Sequence, residues 1–542
     1  MKIEKIENNF YPSTDGKCAV EEGGMVSTAF PHATEAGIEM LNMGGNAIDA
    51  ACAAAFALCV CEPQASGIFG QSMAILSFQG KMIAIDGSSR VPSLAQNSKF
   101  KKGERFKGYK ATTVPSTPAV LSYLNFRYGK LKWHQILEPA IKIAREGYLI
   151  TRLQHSLQLK ELENFLDLPA RSGANYFLKN GKEPYMPGDL FIQKDLAGFL
   201  ENMAENGVKY FYLGEVARQI ELDMKDNGGF LRAEDLAFIP WPIEREPIRR
   251  SFRGISVNTL PPPAAGETLL LVLLMLENLQ PRFLRSNKNE KFHYLAETIR
   301  KALLLRRQRP FDPNTYPQNP EKKMLNRKFA GELARSICNN IDSKLPLFEP
   351  PGEDSDTTHL SVMDKEGNAI GITQSIERVY GSKVAAEGLG FLYNNYMMAL
   401  DTNDPSHPYF LRPNAIPWTS VAPAILTLKK KPWLVVGSPG SERIYSTIAQ
   451  FLLHIINGEL PMDLAMKAPR MHCTIGGKIF LEAEGFTPGL ITYLEEIGYT
   501  LEAKEEFSFF LGAIQAVMKF NTRTGFAGVA EIRRDGTAGG PK

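Results

Sequence analysis

The clearest alternation of apolar and polar positions lies between residues 354 and 377. Apolar side chains occupy every second position over residues 360–362 and 370–372, and the polar stretch 365–368 separates the two runs. Period-two alternation predicts a strand, and two such runs joined by a glycine-containing turn predict a β-hairpin. Thr357 stands at the leading edge of this hairpin.

Similar patterns predict elements on either side. A helix opens at Pro31 and ends at Gly44-Gly45, and Asn46 caps a second, alanine-rich helix. Further strands are predicted over residues 72–78, 81–86, 421–428 and 432–436. A helix is predicted after the last of these strands, over residues 444–456. This mixture predicts helices laid over sheets.

The middle of the chain, from about residue 117 to 345, has a helical and irregular pattern. Helical spacing of apolar residues predicts helices over residues 118–127, 134–146, 193–207, 213–227 and 267–280. Residues 339–356 are rich in proline, serine and acidic residues, which predicts a flexible, exposed linker just before Thr357.

Composition narrows the classes of function. The chain has 542 residues, 62 basic and 59 acidic, with a net charge of +3, so no nucleic-acid or membrane partner is expected. The apolar segment 50–61 is too short to cross a bilayer. The first residues lack the apolar run of a secretory signal, and we therefore expect a cytoplasmic location.

Cofactor and metal motifs are not expected either. The sequence contains no phosphate-binding P-loop and no Rossmann glycine signature. The eight histidines never fall in a pair with ligand spacing, and the six cysteines are scattered, which predicts reduced thiols and no metal site. We expect a protein without a cofactor.

Thr357 is the candidate nucleophile. A threonine hydroxyl needs a base, and one is available if the peptide bond between Asp356 and Thr357 is cut, because the freed α-amine of Thr357 then lies beside its own hydroxyl. Self-cleavage by attack on the Asp356 carbonyl would produce this state. The alternative is an ordinary threonine-rich strand, since threonine is common in sheets.

Two polar loops are further candidates. Arg90 follows a strand and could hold a substrate carboxylate with its planar guanidinium, or it could form a surface ion pair. The turn Gly437–Arg443 precedes a helix, and backbone N–H groups at such a turn can stabilise a negatively charged oxygen.

Several of these segments carry recognisable motifs. They are ATEAGIEMLNMGGNAIDAA near the start, DNGGFLRAEDLA and PPPAAG in the middle, DTTHLSVMDKEGNAIGITQS at Thr357, and GSPGSERI from Gly437. Their order resembles the γ-glutamyltranspeptidase family of N-terminal-nucleophile hydrolases over nearly the whole chain. The resemblance implies a four-layer αββα sandwich of α/β (α+β) class, with mostly helical additions in the first part.

The resemblance also implies maturation. A precursor would be cut before Thr357 into a large chain of residues 1–356 and a small chain of residues 357–542. The two products would form a heterodimer that acts on a small-molecule amide, and further assembly stays open. The chemistry implied is acyl transfer from the amide to water or an amine through an ester on Thr357.

Site residues follow from the matching motif positions. Thr357 matches the nucleophile, and Ser375 matches a family threonine whose hydroxyl bonds it. Gly440 and Ser441 match a Gly-Gly pair that forms the oxyanion hole. A further family pair, Ser-Ser, contacts the substrate carboxylate, and Thr419 and Ser420 match it.

The departures from the family concern the acyl group. Ser88 stands where the family has its glutamyl-binding arginine, and Arg90 follows two residues later. Glu377 replaces an asparagine, Tyr396 a glutamine, and Ala399 the aspartate that would hold the glutamyl ammonium. Losing that countercharge should weaken ammonium binding by several kcal/mol, on the order of other broken buried pairs, unless Glu377 supplies it.

Three functions are therefore open from the sequence. The first is a self-processing amidase for γ-glutamyl compounds such as glutathione. The second keeps the chemistry and changes the acyl group, as in oxamate amidohydrolase-like or cephalosporin acylase-like relatives. The third is an uncleaved, inactive binding or structural protein.

Overall fold

The structure is a computed structural model that describes residues 3–283, 288–314, 324–339 and 356–541. The strands in these ranges are β1 Cys18–Glu21, β2 Gly24–Thr28, β3 Gln71–Phe78, β4 Lys81–Asp86, β5 Tyr148–Leu149, β6 Leu190–Phe191, β7 Ile243–Arg245, β8 Ile248–Phe252, β9 Ile255–Thr259, β10 Thr358–Asp364, β11 Ala369–Ser375, β12 Ala424–Leu428, β13 Lys431–Gly437, β14 Met471–Cys473, β15 Lys478–Glu482, β16 Thr500–Lys504, β17 Gln515–Lys519, β18 Phe526–Ala530 and β19 Thr537–Gly539.

The α-helices in the same ranges lie mostly in the first two thirds of the chain. They are Ile3–Asn8, Pro31–Asn42, Ala47–Cys61, Thr117–Tyr128, Trp133–Glu146, Arg152–Leu166, Ser172–Phe177, Lys194–Asn206, Lys209–Tyr212, Glu215–Asp226, Ala233–Ala237, Gly266–Phe283, Lys288–Gln308, Arg327–Asn339, Ile444–Ile456, Met462–Lys467 and Pro488–Glu496.

Two seven-stranded sheets form the centre of the molecule. One has the strand order β19-β2-β10-β11-β3-β4-β7 and the other β1-β18-β17-β13-β12-β9-β8. The hairpin β10–β11 is central in the first sheet, where it pairs with β2 on one side and β3 on the other, all antiparallel. The two sheets face each other through β10 against β17 and β11 against β13.

Helices cover the outer face of each sheet. Ala47–Cys61 lies on β10 and β11, and its alanine side chains allow a close approach. Gly266–Phe283 and Ile444–Ile456 lie on the other sheet. The order helix, sheet, sheet, helix confirms the predicted four-layer αββα sandwich.

The space between the sheets holds apolar side chains and a small group of polar side chains around one histidine. The His359 ring is fully buried on β10, with Nδ1 2.9 Å from the Thr373 hydroxyl and Nε2 3.0 Å from the Ser361 hydroxyl. Burial lowers the pKa of His359 to about 3, so the ring is neutral. A Cβ on Gly437 would lie 2.3 Å from this ring, which explains a glycine at the end of β13.

Most predicted elements are confirmed within three residues. The hairpin is present, Asn46 caps Ala47–Cys61 with its side-chain oxygen, and Ile444–Ile456 has the predicted bounds. The interpretation of residues 117–345 as helical and irregular is wrong at the five short strands β5 to β9. β5 and β6 form a small sheet of their own, and β7, β8 and β9 lie toward the edges of the two large sheets. Short edge strands carry too few residues to establish a periodic pattern.

The predicted linker lies mainly outside the described residues, which resume at Asp356. At that last position the expectation of exposure is wrong, because Asp356 is completely buried. All six cysteines are free thiols. Among the described residues, no helix is both long and apolar enough to span a membrane.

Candidate active site

Thr357 immediately precedes β10 and is buried. Three hydrogen bonds hold the residues on either side of the peptide bond before it. The Asp356 carbonyl oxygen accepts a 2.8 Å hydrogen bond from the Ser375 hydroxyl at the end of β11. The Asp356 N–H donates to the Glu377 carbonyl at 2.8 Å, and the Thr357 N–H donates to the Asp356 carboxylate at 2.8 Å. The hairpin therefore positions its own preceding residue.

The Asp356 side chain belongs to a buried ionic cluster. Its two carboxylate oxygens accept from the two terminal nitrogens of Arg534, and one of these nitrogens also donates to Glu62 at 3.1 Å. Burial raises the pKa of Glu62 to about 8, although the nearby Arg534 opposes this shift. The cluster therefore includes the side chain of the residue whose carbonyl group forms the bond before Thr357.

Thr357 opens onto a cavity of about 340 Å³. Six of the residues predicted from the sequence line it together, namely Thr357, Glu377, Tyr396, Thr419, Ser420 and Ser441. Ala399 lines it as well. A small polar cavity with a nucleophile at its wall has the form of a small-molecule site.

Charged residues of both signs line the cavity. Arg306 and Arg307 come from the helix Lys288–Gln308, and Glu377, Asp401 and Glu442 supply carboxylates. Arg307 forms a 2.8 Å ion pair with Glu442. The cavity can therefore receive a ligand that carries a carboxylate, an ammonium or both.

Arg306 is held in place by its neighbours. It donates to the Thr419 carbonyl oxygen at 2.6 Å, and its guanidinium lies 4.3 Å from the ring centre of Trp418. The Trp418 ring stacks in turn on Tyr409, with the ring centres 5.3 Å apart. Burial lowers the pKa of Arg306 from its ordinary high value.

Ser441, in the glycine turn, lines the same cavity as Thr357. Ser441 has a positive φ of +52° and Gly440 one of +120°, backbone conformations that favour glycine. Ser441 therefore has a backbone conformation that is uncommon for serine, and it opens the 3₁₀ turn Ser441–Arg443 before Ile444–Ile456. Ser441 lines the cavity, and the narrowing that its side chain is expected to cause stays a prediction.

Three predicted residues lie outside the lining. The Ser375 hydroxyl donates a hydrogen bond to the carbonyl oxygen of Asp356, the residue before Thr357. Gly440 is the residue before Ser441, which lines the cavity. Arg90 is half-buried on a loop whose backbone pairs with Val114, and it is not among the described residues that line the cavity. The predicted substrate contact of Arg90 stays a prediction that this geometry does not favour.

One wall of the cavity includes Tyr396 and Ala399. Tyr396 is buried in the turn Tyr396–Ala399, and its hydroxyl lies 3.4 Å from the Ser375 carbonyl oxygen. Burial, with Glu377 nearby, raises the pKa of the Tyr396 hydroxyl, which therefore stays neutral. Ala399 ends the same turn and presents only a methyl group.

Sequence reasoning did not identify Arg306, Arg307, Trp418 or Asp401 as cavity residues. The two arginines continue a helical pattern, and nothing local distinguishes them from surface residues. Glu442 also lines the cavity and lies within the motif GSPGSERI, a local signal that these four residues lack. Within the described ranges, no group of three or more histidine, cysteine, aspartate or glutamate residues could hold a metal ion.

The fold and the site together define a class. Two antiparallel sheets face each other between layers of helices, and a threonine directly precedes a central strand. The peptide bond before this threonine is buried inside the protein. This is the architecture of the N-terminal-nucleophile hydrolases. The profile of the gamma-glutamyltranspeptidase family matches residues 33–540, and the chain belongs to this family.

Relatives within the family carry two kinds of name. The glutathione hydrolase proenzyme of Escherichia coli (strain K12) is 31% identical over 519 residues, which cover 91% of this chain and 88% of that protein. The acylase ACY 1 proenzyme of Pseudomonas sp. (strain V22) is 30% identical over 537 residues, covering 96% and 94%. The crystal structure of cephalosporin acylase from Bacillus halodurans superposes with a TM-score of 0.89 at 27% identity, covering 98% of both chains.

Proposed function

We propose that this chain is a self-processing amidohydrolase and acyltransferase with Thr357 as its nucleophile and γ-glutamyl amides as its first candidate substrates. One observation carries the proposal. Thr357 follows a buried peptide bond whose carbonyl oxygen accepts the Ser375 hydroxyl, and it lines a cavity with charges of both signs. An inert strand residue would need neither arrangement.

Maturation follows from this geometry. The Thr357 hydroxyl adds to the Asp356 carbonyl carbon, the C–N bond breaks, and the hydroxyl proton passes to the leaving nitrogen. Water then hydrolyses the Asp356 ester, which frees the hydroxyl and leaves a carboxylate on Asp356. The products are chains of residues 1–356 and 357–542.

The two products would remain together as a heterodimer. Strands β2 and β3 from the first chain pair with β10 and β11 from the second, and β9 pairs with β12 in the other sheet. Separation would expose both sheet interiors to water, at about 25 cal/mol per Å² of apolar surface. Further assembly stays open.

Turnover reuses the same residue. The freed α-amine of Thr357 takes the hydroxyl proton as the hydroxyl attacks a substrate amide, and N–H groups at Gly440 and Ser441 stabilise the oxyanion. The acyl group passes to Thr357 as an ester while the amine leaves. Water or a second amine then takes the acyl group.

The cavity charges support a zwitterionic acyl group. A γ-glutamyl group carries an α-carboxylate and an α-ammonium. Arg306, beside Thr419 and Ser420, suits the carboxylate, and Glu377 or Asp401 suits the ammonium. Relatives named glutathione hydrolase proenzyme, including the one from Escherichia coli, agree with this assignment.

A second candidate keeps the chemistry and lacks the ammonium. Ala399 and Tyr396 remove the polar groups that the family uses for the glutamyl ammonium, which favours an acyl group with a carboxylate alone. The relatives named acylase support this candidate.

Two anilides separate the candidates. γ-Glutamyl-4-nitroanilide and glutaryl-4-nitroanilide differ only by the α-ammonium, and release of nitroaniline measures turnover of each by the processed protein. A higher kcat/KM for the γ-glutamyl compound supports the first candidate, and a higher value for the glutaryl compound supports the second. No turnover of either, nor of oxamate, by fully cleaved protein would contradict both.

The cytoplasmic location stays a prediction from the first residues of the chain. Cell fractionation with an antibody against the small chain checks it.

A further inference from the structure

We propose that Arg534 is a positioning residue for self-cleavage, which it promotes by fixing the side chain of Asp356 and with it the bond before Thr357. The inference rests on the proposed self-processing and adds a residue to it. Arg534 lies 178 positions after Asp356, in the segment between β18 and β19.

The contact between Arg534 and Asp356 is bidentate. One terminal nitrogen donates to Oδ1 of Asp356, and the other donates to Oδ2 at 3.2 Å. The side chains of both residues are 1% exposed. A planar guanidinium facing a carboxylate in this way fixes orientation as well as distance.

With this contact, hydrogen bonds hold both the backbone and the side chain of Asp356, the residue before the bond that is cut. The Asp356 N–H is held by the Glu377 carbonyl, its C=O by the Ser375 hydroxyl, and its Oδ1 by both Arg534 and the Thr357 N–H. Because Oδ1 accepts from Arg534 and from the Thr357 N–H at the same time, the fixed carboxylate restricts the orientation of the peptide group that is cut. Holding reacting groups in one geometry is a large source of rate.

Arg534 is itself well fixed. Its guanidinium lies 4.0 Å from the ring centre of Phe509, and its carbonyl oxygen accepts from Lys17 Nζ at 2.7 Å. Burial alone would lower the pKa of Arg534, but the carboxylates of Asp356 and Glu62 outweigh burial and raise it. The cation therefore persists in a site closed to water.

The neighbouring arginine provides a matched control. Arg533 is also buried, and it pairs with Glu482 and Glu531 instead of Asp356. Replacing Arg533 therefore removes an equally buried, ion-paired arginine from the same segment. A purely structural role for this segment predicts the same loss at both positions.

The experiment follows cleavage over time. Wild type, Arg534→Met, Arg534→Lys and Arg533→Met are made by pulsed cell-free translation, and the fraction of full-length chain is read by denaturing gel and intact mass. The same substitutions in a Thr357→Ala background report folding, by thermal unfolding of the uncut chain. We expect Arg534→Met to slow cleavage at least tenfold, Arg534→Lys to slow it less, and folded Arg533→Met to stay within threefold of wild type.

A second variant serves if Arg534→Met does not fold. Asp356→Asn keeps an oxygen acceptor for the Thr357 N–H but removes the charge that Arg534 binds, and we expect at least tenfold slower cleavage. In the double variant, Arg534→Met should add less than threefold, because the two residues act as one unit.

Wild-type cleavage rates in both Arg534→Met and Asp356→Asn would overturn the inference, as would equal slowing by folded Arg533→Met. These outcomes concern cleavage alone. The proposed function fails separately, if cleaved wild-type protein turns over no amide or if the wild type is never cut.

Discussion

The Ser375 hydroxyl donates a 2.8 Å hydrogen bond to the Asp356 carbonyl oxygen, so the end of one strand touches the bond that precedes the other. The same Ser375 oxygen accepts the Glu377 N–H at 2.8 Å, which fixes its direction. A donor at the carbonyl oxygen stabilises the charge that develops there when Thr357 attacks. Antiparallel pairing of β10 and β11 brings Ser375, at the end of β11, next to Asp356, which lies just before β10.

Replacing Ser375 tests that donor. We expect Ser375→Ala to slow self-cleavage by about 100-fold, the lower range for loss of one oxyanion donor. Ser375→Thr retains the hydroxyl that the family has, and it should cleave at a rate close to wild type. Intact mass over time measures both, and equal rates for alanine and threonine at this position would contradict the assigned role.

Replacing Thr357 separates an enzyme from a scaffold. Thr357→Ala should remain a single chain and release no nitroaniline from either anilide, because both reactions need the hydroxyl. Thr357→Ser keeps a hydroxyl and should be cleaved. Two fragments from purified Thr357→Ala, with masses for a cut after Asp356, would show that another nucleophile cuts the bond.

Ala399 gives a test of substrate preference. Ala399→Asp restores a carboxylate in the cavity, and we expect the ratio of kcat/KM for γ-glutamyl over glutaryl anilide to rise at least tenfold. Met398→Asp places the same charge on the adjacent cavity residue and should change this ratio less than threefold. An unchanged ratio in Ala399→Asp would mean that the ammonium is bound elsewhere.

Local patterns in the sequence were enough to predict much of the fold. Asn46 and Gly44-Gly45 marked helix ends, and the alternation after Thr357 predicted the hairpin, because each signal depends on neighbouring residues. The strands β7–β9 escaped detection since each has five residues or fewer. β7 and β9 pair with the distant strands β4 and β12, and β8 pairs with β9, so their place in the sheets depends on pairing more than on their own pattern.

The residues of the candidate site also fall into two groups, those that the sequence could predict and those that only the fold brings together. Residues that share one contiguous motif, such as Thr357 with Ser375 and Gly440 with Ser441, pointed to the chemistry. Arg534 could not be found from the sequence, because its partner Asp356 is 178 residues away and only the folded sheets bring the two together. Arg306 resembled any arginine on a helix.

Gly437 tests how tightly the sheets pack. A Cβ at Gly437 would lie 2.3–2.5 Å from three atoms of the buried His359 ring, and we expect Gly437→Ala to destabilise the protein by about 3 kcal/mol. Gly198→Ala is the control, since no atom lies within 4 Å of the added carbon and alanine favours a helix by about 1 kcal/mol. Chemical denaturation in the Thr357→Ala background compares them, and equal stabilities would contradict the packing argument.

Glu62 gives a pH test of the buried cluster. Burial raises its pKa to about 8 in the folded chain, well above its ordinary value of 4.5. Between these values the folded state keeps a proton that the unfolded state has lost, so this group lowers the free energy of unfolding as pH rises, by at most about 1.4 kcal/mol per pH unit. Above pH 8 its contribution is constant.

Glu62→Gln removes that contribution, while Arg534, Asp356 and Asp535 remain as the charges around it. In the Thr357→Ala background, the unfolding free energy of Glu62→Gln minus that of Glu62 should therefore grow from pH 5 to pH 8 and then level off. Urea denaturation at four pH values measures this difference. A difference that stays constant with pH would show that Glu62 is already ionised at pH 5 and would contradict its raised pKa.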